Sequence, residues 1–147
     1  MPAEPPALTT EYVRSKVVDY AGTEFRTHGQ PVPAWLAPTL KTLRDLSQLP
    51  KDWDGYGADQ IHEQIPFRAL GVLGEVMDFD SPAPSVVPLS DGGIQLEWHR
   101  HGRNLEIEFP TDAAPNFFYY EDSGGDEAEG QVSRSYDQIQ MYLSSLK

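Results

Sequence analysis

The stretch Asp91-Gly-Gly-Ile-Gln-Leu-Glu-Trp-His-Arg-His-Gly-Arg-Asn-Leu-Glu-Ile-Glu-Phe109 decides the fold. Apolar residues fall at Ile94, Leu96 and Trp98 and again at Leu105, Ile107 and Phe109, with polar residues between them. Strict alternation means two half-buried strands. Whether His101-Gly102 is a two-residue turn or Arg100 to Arg103 a four-residue loop, the pairing is the same. Trp98 faces Leu105, Leu96 faces Ile107 and Ile94 faces Phe109. A slip of one residue would move all six to the wrong face, so pattern and turn specify one register. That register sets Glu97 opposite Glu106 and Gln95 opposite Glu108 on the outer face. Like charges so placed cost roughly 0.2–1 kcal/mol.

Working outward, Ser85-Val-Val-Pro-Leu89 reads as a preceding strand, placed at a sheet edge because Pro88 cannot donate to a ladder. Phe117-Phe-Tyr-Tyr120 reads as a following one, with its register left open by aromatics on both faces. One of its faces joins the core and the other lies beside Glu106 and Glu108. The expectation is a four-stranded antiparallel meander over about 85–121. Glu121 to Gly130 holds five acids, three glycines and no base, which predicts a mobile acidic loop over 121–131.

Helices are expected on one face of this sheet, over about 10–21, 38–49, 61–77 and 135–146. The first rests on Tyr12, Val13, Val17 and Tyr20 with Ala21-Gly22 as its stop. The second is carried by Leu36, Leu40, Leu43, Leu46 and Leu49, ending at Pro50, with Lys41 and Asp45 paired outside. In the third, Ile65, Ala69, Leu70, Leu73, Val76 and Met77 form the apolar stripe, and Gly71 and Gly74 predict close approach of another element. Ser135 caps the fourth, whose stripe is Tyr136, Ile139, Tyr142, Leu143 and Leu146. Asp78 to Pro84 is a proline-rich connector, and residues 1–9 a loose tail. The fold class is α+β, as one domain over 1–147.

Between the second and third helices, Leu49-Pro-Lys-Asp-Trp-Asp-Gly-Tyr-Gly-Ala58 reads as a structured turn in which Trp53 and Tyr56 lock the connection onto the core. Asp52, Asp54 and Gly55 look like part of a calcium loop. The first ligand position, however, falls on Pro50 and the closing glutamate position on Ile61, which excludes calcium. Together, Trp53-Asp-Gly-Tyr-Gly-Ala58 and Gly92-Gly-Ile-Gln-Leu-Glu-Trp98 resemble a family of small bacterial proteins with no assigned activity. The resemblance covers roughly residues 36–121 and supports the fold reading. It implies no catalytic or ligand residue.

Composition bounds the function. At 147 residues there is room for one core. Twenty-three acidic residues against 11 basic give a formal charge of −12, which disfavours nucleic acid and anionic membranes and favours a basic protein partner. Cysteine is absent, excluding disulfides and thiolate chemistry. No secretory signal or run of ~18 apolar residues is present, and a cytoplasmic protein that does not enter a membrane is expected. No phosphate-cradling loop, nucleophile elbow or glycosidase carboxylate pair appears, so no catalytic residue and no cofactor is assigned. The expected function is an acidic, non-enzymatic interaction module, antitoxin-, immunity- or inhibitor-like, contacting its partner through Gln95, Glu97, Glu106 and Glu108. The alternative is a metal site or metal-dependent enzyme on Glu97, His99 and His101, since His99 stands beside Glu97 and opposite Asn104. A homodimer through Ser85–Leu89 or Phe117–Tyr120 is a further expectation.

Overall fold

The computed structural model describes residues 17–20, 23–26 and 32–147. Two short strands, β1 (Val17–Tyr20) and β2 (Thr23–Arg26), pair antiparallel. They replace the end of the helix expected over 10–21. Valine, threonine, tyrosine and phenylalanine favour a pleated backbone, and here that preference overrides the helical spacing. Residues 10–16 of that expected helix, and the tail 1–9, lie outside the described residues.

Three helices follow the expected stripes closely. They are α1 (Leu36–Ser47), α2 (Ile65–Val76) and, near the C-terminus, α3 (Tyr136–Ser145). Proline at the start of α2 is tolerated because its missing N–H has no partner in a first turn. Lys41 and Asp45 pair at 3.0 Å on the outside of α1. Ser135 occupies the position before α3, but its side chain makes no capping bond; its carbonyl accepts from the Ile139 N–H at 2.9 Å.

The main sheet has five antiparallel strands rather than four: β3 (Ser85–Pro88), β4 (Ile94–Arg100), β5 (Arg103–Phe109), β6 (Asn116–Glu121) and β7 (Glu127–Gln131), ordered as in the chain. The β4–β5 register is the expected one, with Trp98 opposite Leu105, Leu96 opposite Ile107 and Ile94 opposite Phe109. His101 and Gly102 form the two-residue turn, at φ 55° and 71°. Positive φ at both central positions is the twist that matches two flanking strands. In β6, Phe117 pairs with Ile107 and Tyr119 with Leu105. Both enter the core, so Phe118 and Tyr120 lie on the outer face.

The expected acidic loop is instead a hairpin, since β7 takes up most of its second half. Its inward positions are Ala128 and Gly130, small residues without the apolar signature that betrays a strand. With β7 in place, Phe117–Tyr120 is an interior strand and offers no edge for a second copy.

One face of the sheet meets the helices. Ile94, Leu96, Leu105, Ile107 and Phe109 are fully buried with Leu73 of α2 and Ile139 and Leu146 around α3. Tyr119 stacks on Tyr142 with ring centroids 3.8 Å apart, tying β6 to α3. The proline-rich connector is held by two indoles: Trp35 Nε1 donates to Asp78 O at 3.0 Å and Trp98 Nε1 to Pro82 O at 2.8 Å.

The turn between α1 and α2 is structured, but not by its aromatics. Asp54 Oδ1 accepts from the N–H groups of Tyr56 and Ala58, and Asp52 Oδ1 from that of Gly57. Trp53 is half-buried and donates to Asp59 O. Tyr56 is 94 % exposed, so the expected lock onto the core is absent on its side. Carboxylate acceptance of backbone donors does the work assigned to ring burial.

Gly71 and Gly74 also depart from expectation. A Cβ at either would meet nothing within 4 Å, so no element among the described residues approaches them. Gly92 is different, at φ 91° with a Cβ position 2.7 Å from Gln60 O. Gly71→Ala and Gly74→Ala should therefore each raise stability by about 0.5–1 kcal/mol through helix propensity. Gly92→Ala should lower it by more than about 1 kcal/mol. Urea melts of the three variants check this, and a destabilised Gly74→Ala would contradict the open space seen there.

Candidate functional site

Cross-strand pairing assembles the outer face row by row. Ser85, Glu97, Glu106, Phe118 and Glu129 stand in one line across all five strands. Val87, Gln95, Glu108, Asn116 and Gln131 form the next. His99, Asn104, Tyr120 and Glu127 form a third. Paired residues share a face, so this surface carries five glutamates, one histidine, and neither lysine nor arginine. Arg100 and Arg103 belong to the opposite parity; Arg103 reaches the helix side, donating to Ser145 O at 3.1 Å.

The four expected contact residues, Gln95, Glu97, Glu106 and Glu108, are thus brought together. Sequence reading missed Glu127 and Glu129, which were assigned to a loop. The alternation in Glu127-Ala-Glu-Gly-Gln131 was the available signal. Phe118 lies between Glu106 and Glu129, and its ring sits 5.4 Å from that of Tyr120. The acidic surface therefore has an aromatic middle.

A hydrogen-bond chain runs along its upper rows. Gln95 Nε2 donates to Glu97 Oε1 at 2.8 Å, and Glu97 Oε2 lies 3.3 Å from His99 Nε2. His99 Nδ1 is 2.7 Å from Asn104 Oδ1. The buried Asn104 amide donates to Asp122 Oδ1 at 2.8 Å and to Tyr120 O at 3.3 Å. Two acceptors fix which way the Asn104 carboxamide points, leaving its oxygen to face the imidazole. His99 Nδ1 must then donate, while Nε2 faces a carboxylate. Nδ1 donates in the neutral and the protonated ring alike, and Nε2 donates to Glu97 when the ring is protonated.

The same geometry raises the His99 pKa above the ordinary imidazole value. The Asn104 acceptor is the main cause, followed by the hydrogen bond and charge of Glu97 and the charge of Glu106, against an opposing desolvation. In its protonated form His99 offsets part of the unfavourable Glu97–Glu106 juxtaposition. Its Nδ1 is engaged by Asn104 and its Nε2 lies beside Glu97. His101 sits in the turn at φ 55°, past the end of β4, so strand alternation does not carry it onto the face beside His99. Among the described residues no three His, Cys, Asp or Glu side chains are grouped to hold a metal ion. Among them, too, no helix is long and apolar enough to cross a membrane.

No protein-family model, curated protein or solved structure matches the chain. The site is therefore interpreted from its own chemistry.

Because the folded pKa of His99 exceeds the unfolded value of about 6.5, its interactions stabilise the fold fully below that pH. The contribution is lost as pH rises through the raised value. Asn104→Ala removes the main cause and leaves the Asp122 carboxylate and the Tyr120 carbonyl without their donor. It should cost about 1–3 kcal/mol and bring the His99 midpoint down towards 6.5. Proton NMR titration of the imidazole reads this directly; an unmoved midpoint would show that Asn104 does not hold the proton.

Proposed function

We propose that this protein is an interaction module that binds a basic protein partner through its acidic sheet face and carries out no chemistry of its own. Gln95, Glu97, Glu106 and Glu108 form the contact, extended by Glu129 and Phe118. The observation that supports it most is the composition of the face: five glutamates across three strands, no lysine or arginine among the described residues, and a half-buried aromatic pair at the middle. A face built only for solubility mixes both signs. A single-sign face steers oppositely charged partners and rejects like-charged ones. Aromatic rings amid carboxylates supply the desolvated centre that charge alone lacks.

An antitoxin, an immunity protein or an inhibitor that occupies the basic groove of a nucleic-acid enzyme would present such a surface. The formal charge of −12 supports the same class of partner. The turn and strand that resemble those of a family of small bacterial proteins support a bacterial origin for the pair.

Glu97→Lys/Glu106→Lys tests this. Both side chains point away from the core, so the variant should fold like the wild type by circular dichroism. Immobilised wild type, challenged with lysate of its source cell, should retain a basic protein at low salt and release it at high salt. The double variant should lose at least about 1.4 kcal/mol of that affinity, a factor of ten. Equal retention by the variant would remove the face from the binding reaction.

A further inference from the structure

The sheet ends in two edges, β3 and β7, and their backbones differ. In an antiparallel ladder, residues alternate between those that bond their neighbour and those whose N–H and C=O point away from it. The phase along β7 is set at its two ends, where Glu121 N–H donates to Asp126 O at 3.2 Å and Val132 N–H to Pro115 O at 3.1 Å. In that register Ala128 and Gly130 bond to β6, so Glu127, Glu129 and Gln131 turn their backbone groups to the open edge. Glu127 and Glu129 have no other backbone partner among the described residues, while the Gln131 carbonyl opens the 3-10 turn Val132–Arg134.

At the other edge, Leu89 N–H donates to Gly93 O at 2.9 Å, which leaves Val86 and Pro88 facing outward. Pro88 has no N–H, so that edge is blunted by its own covalent structure. The β7 edge keeps the donors and acceptors of Glu127 and Glu129 and is guarded by the side chains of those two residues.

We propose that β7 is the docking edge for an extended basic segment of the partner, which adds as a further antiparallel strand with lysine or arginine opposite Glu127 and Glu129. Charge complementarity selects this occupant. A second copy pairing β7 to β7 would set glutamate against glutamate, which is unfavourable on a sheet. A basic strand turns the same guard into attraction, and the free N–H and C=O groups supply a main-chain ladder. The partner residues opposite Glu127 and Glu129 are the ones whose own N–H groups meet the edge, because those positions are bonded pairs. This rests on the reading that the partner is basic, and it names how that partner is held.

The probe is a short capped peptide alternating lysine and valine, titrated calorimetrically at low salt into the intact protein. Its control is the same peptide methylated on the lysine backbone nitrogens, which keeps every charge and removes the donors. The parent peptide should bind and shift the Glu127 and Glu129 amide resonances, and the control should bind at least tenfold more weakly. Glu129→Pro should weaken the parent peptide at least as much, because it removes an outward N–H together with one of the two edge carboxylates and leaves the bonds to β6 in place. Equal affinity for the two peptides would overturn the edge proposal while leaving the acidic face as the contact. No binding by the parent peptide would overturn it as well, whereas loss of the native partner in Glu97→Lys/Glu106→Lys bears on the face alone. A dimer of the protein alone, seen by light scattering and not dispersed by the peptide, would assign the edge to a second copy and also overturn the proposal.

Discussion

The register of the β4–β5 hairpin is the constraint on which the rest of the molecule depends. Its turn places two residues, His101 and Gly102, at positive φ, a conformation that glycine adopts freely and most residues resist. The turn fixes which residue meets which, and the alternation fixes which face each takes. A slip of one place would bury Glu97, Glu106 and Glu108 among the helices and expose Trp98, Leu96 and Ile107. Desolvating several unpaired carboxylates costs far more than a domain of this size has in total stability. Every other strand of the five-stranded sheet is registered directly or indirectly on this pair, so the composition of the outer face follows from it.

The outer face holds an internal tension that the structure relieves locally. Glu97 and Glu106 are opposed in a pair with no ladder hydrogen bond between them, where side chains approach most closely. Gln95 donates to one oxygen of the Glu97 carboxylate and His99 lies 3.3 Å from the other, with Asn104 holding the far side of the imidazole. Asn104 does more than orient the imidazole. Its amide reaches Asp122, whose own N–H donates to Gly102 O at 2.9 Å. The turn of one hairpin is thereby bound to the turn of the next. One buried carboxamide serves both electrostatics and the relative placement of β4–β5 and β6–β7.

What the sequence made legible is what packing had written into it with a clear period. The central hairpin, the three helical stripes and the edge position of Pro88 each have one reading, because each buries large apolar residues at fixed spacing. Elements that bury little were missed. In β7 only Ala128 and Gly130 turn inward, so a strand was hidden in composition that elsewhere signals a solvated loop. Val17 and Tyr20 fit a helical stripe and a strand equally well, and a short segment offers too few turns to separate the periods. Tyr56 was placed in the core because rings are usually buried, whereas its loop is closed by Asp52 and Asp54 through backbone donors. Half of the acidic face followed from the hairpin register, and the other half needed β7.

The five glutamates do not act as one charge. Strands are spaced by about 4.8 Å, so Glu97 on β4 and Glu129 on β7 lie roughly 14 Å apart, beyond the screening length of about 8 Å at physiological salt. The face therefore divides into two electrostatic neighbourhoods. Around β4 and β5, His99 lies beside Glu97 and diagonal to Glu106, and in its protonated form it offsets part of their charge. Around β7, Glu127 and Glu129 have no cation on their face among the described residues. Their repulsion is left standing at the edge whose backbone is still able to pair. An uncompensated charge beside unsatisfied donors and acceptors is stable in water, where both are hydrated, and it keeps identical chains apart. The guard is conditional, however, because its sign determines what it excludes. Proline at β3 refuses any strand, while glutamate at β7 refuses only strands that share its charge.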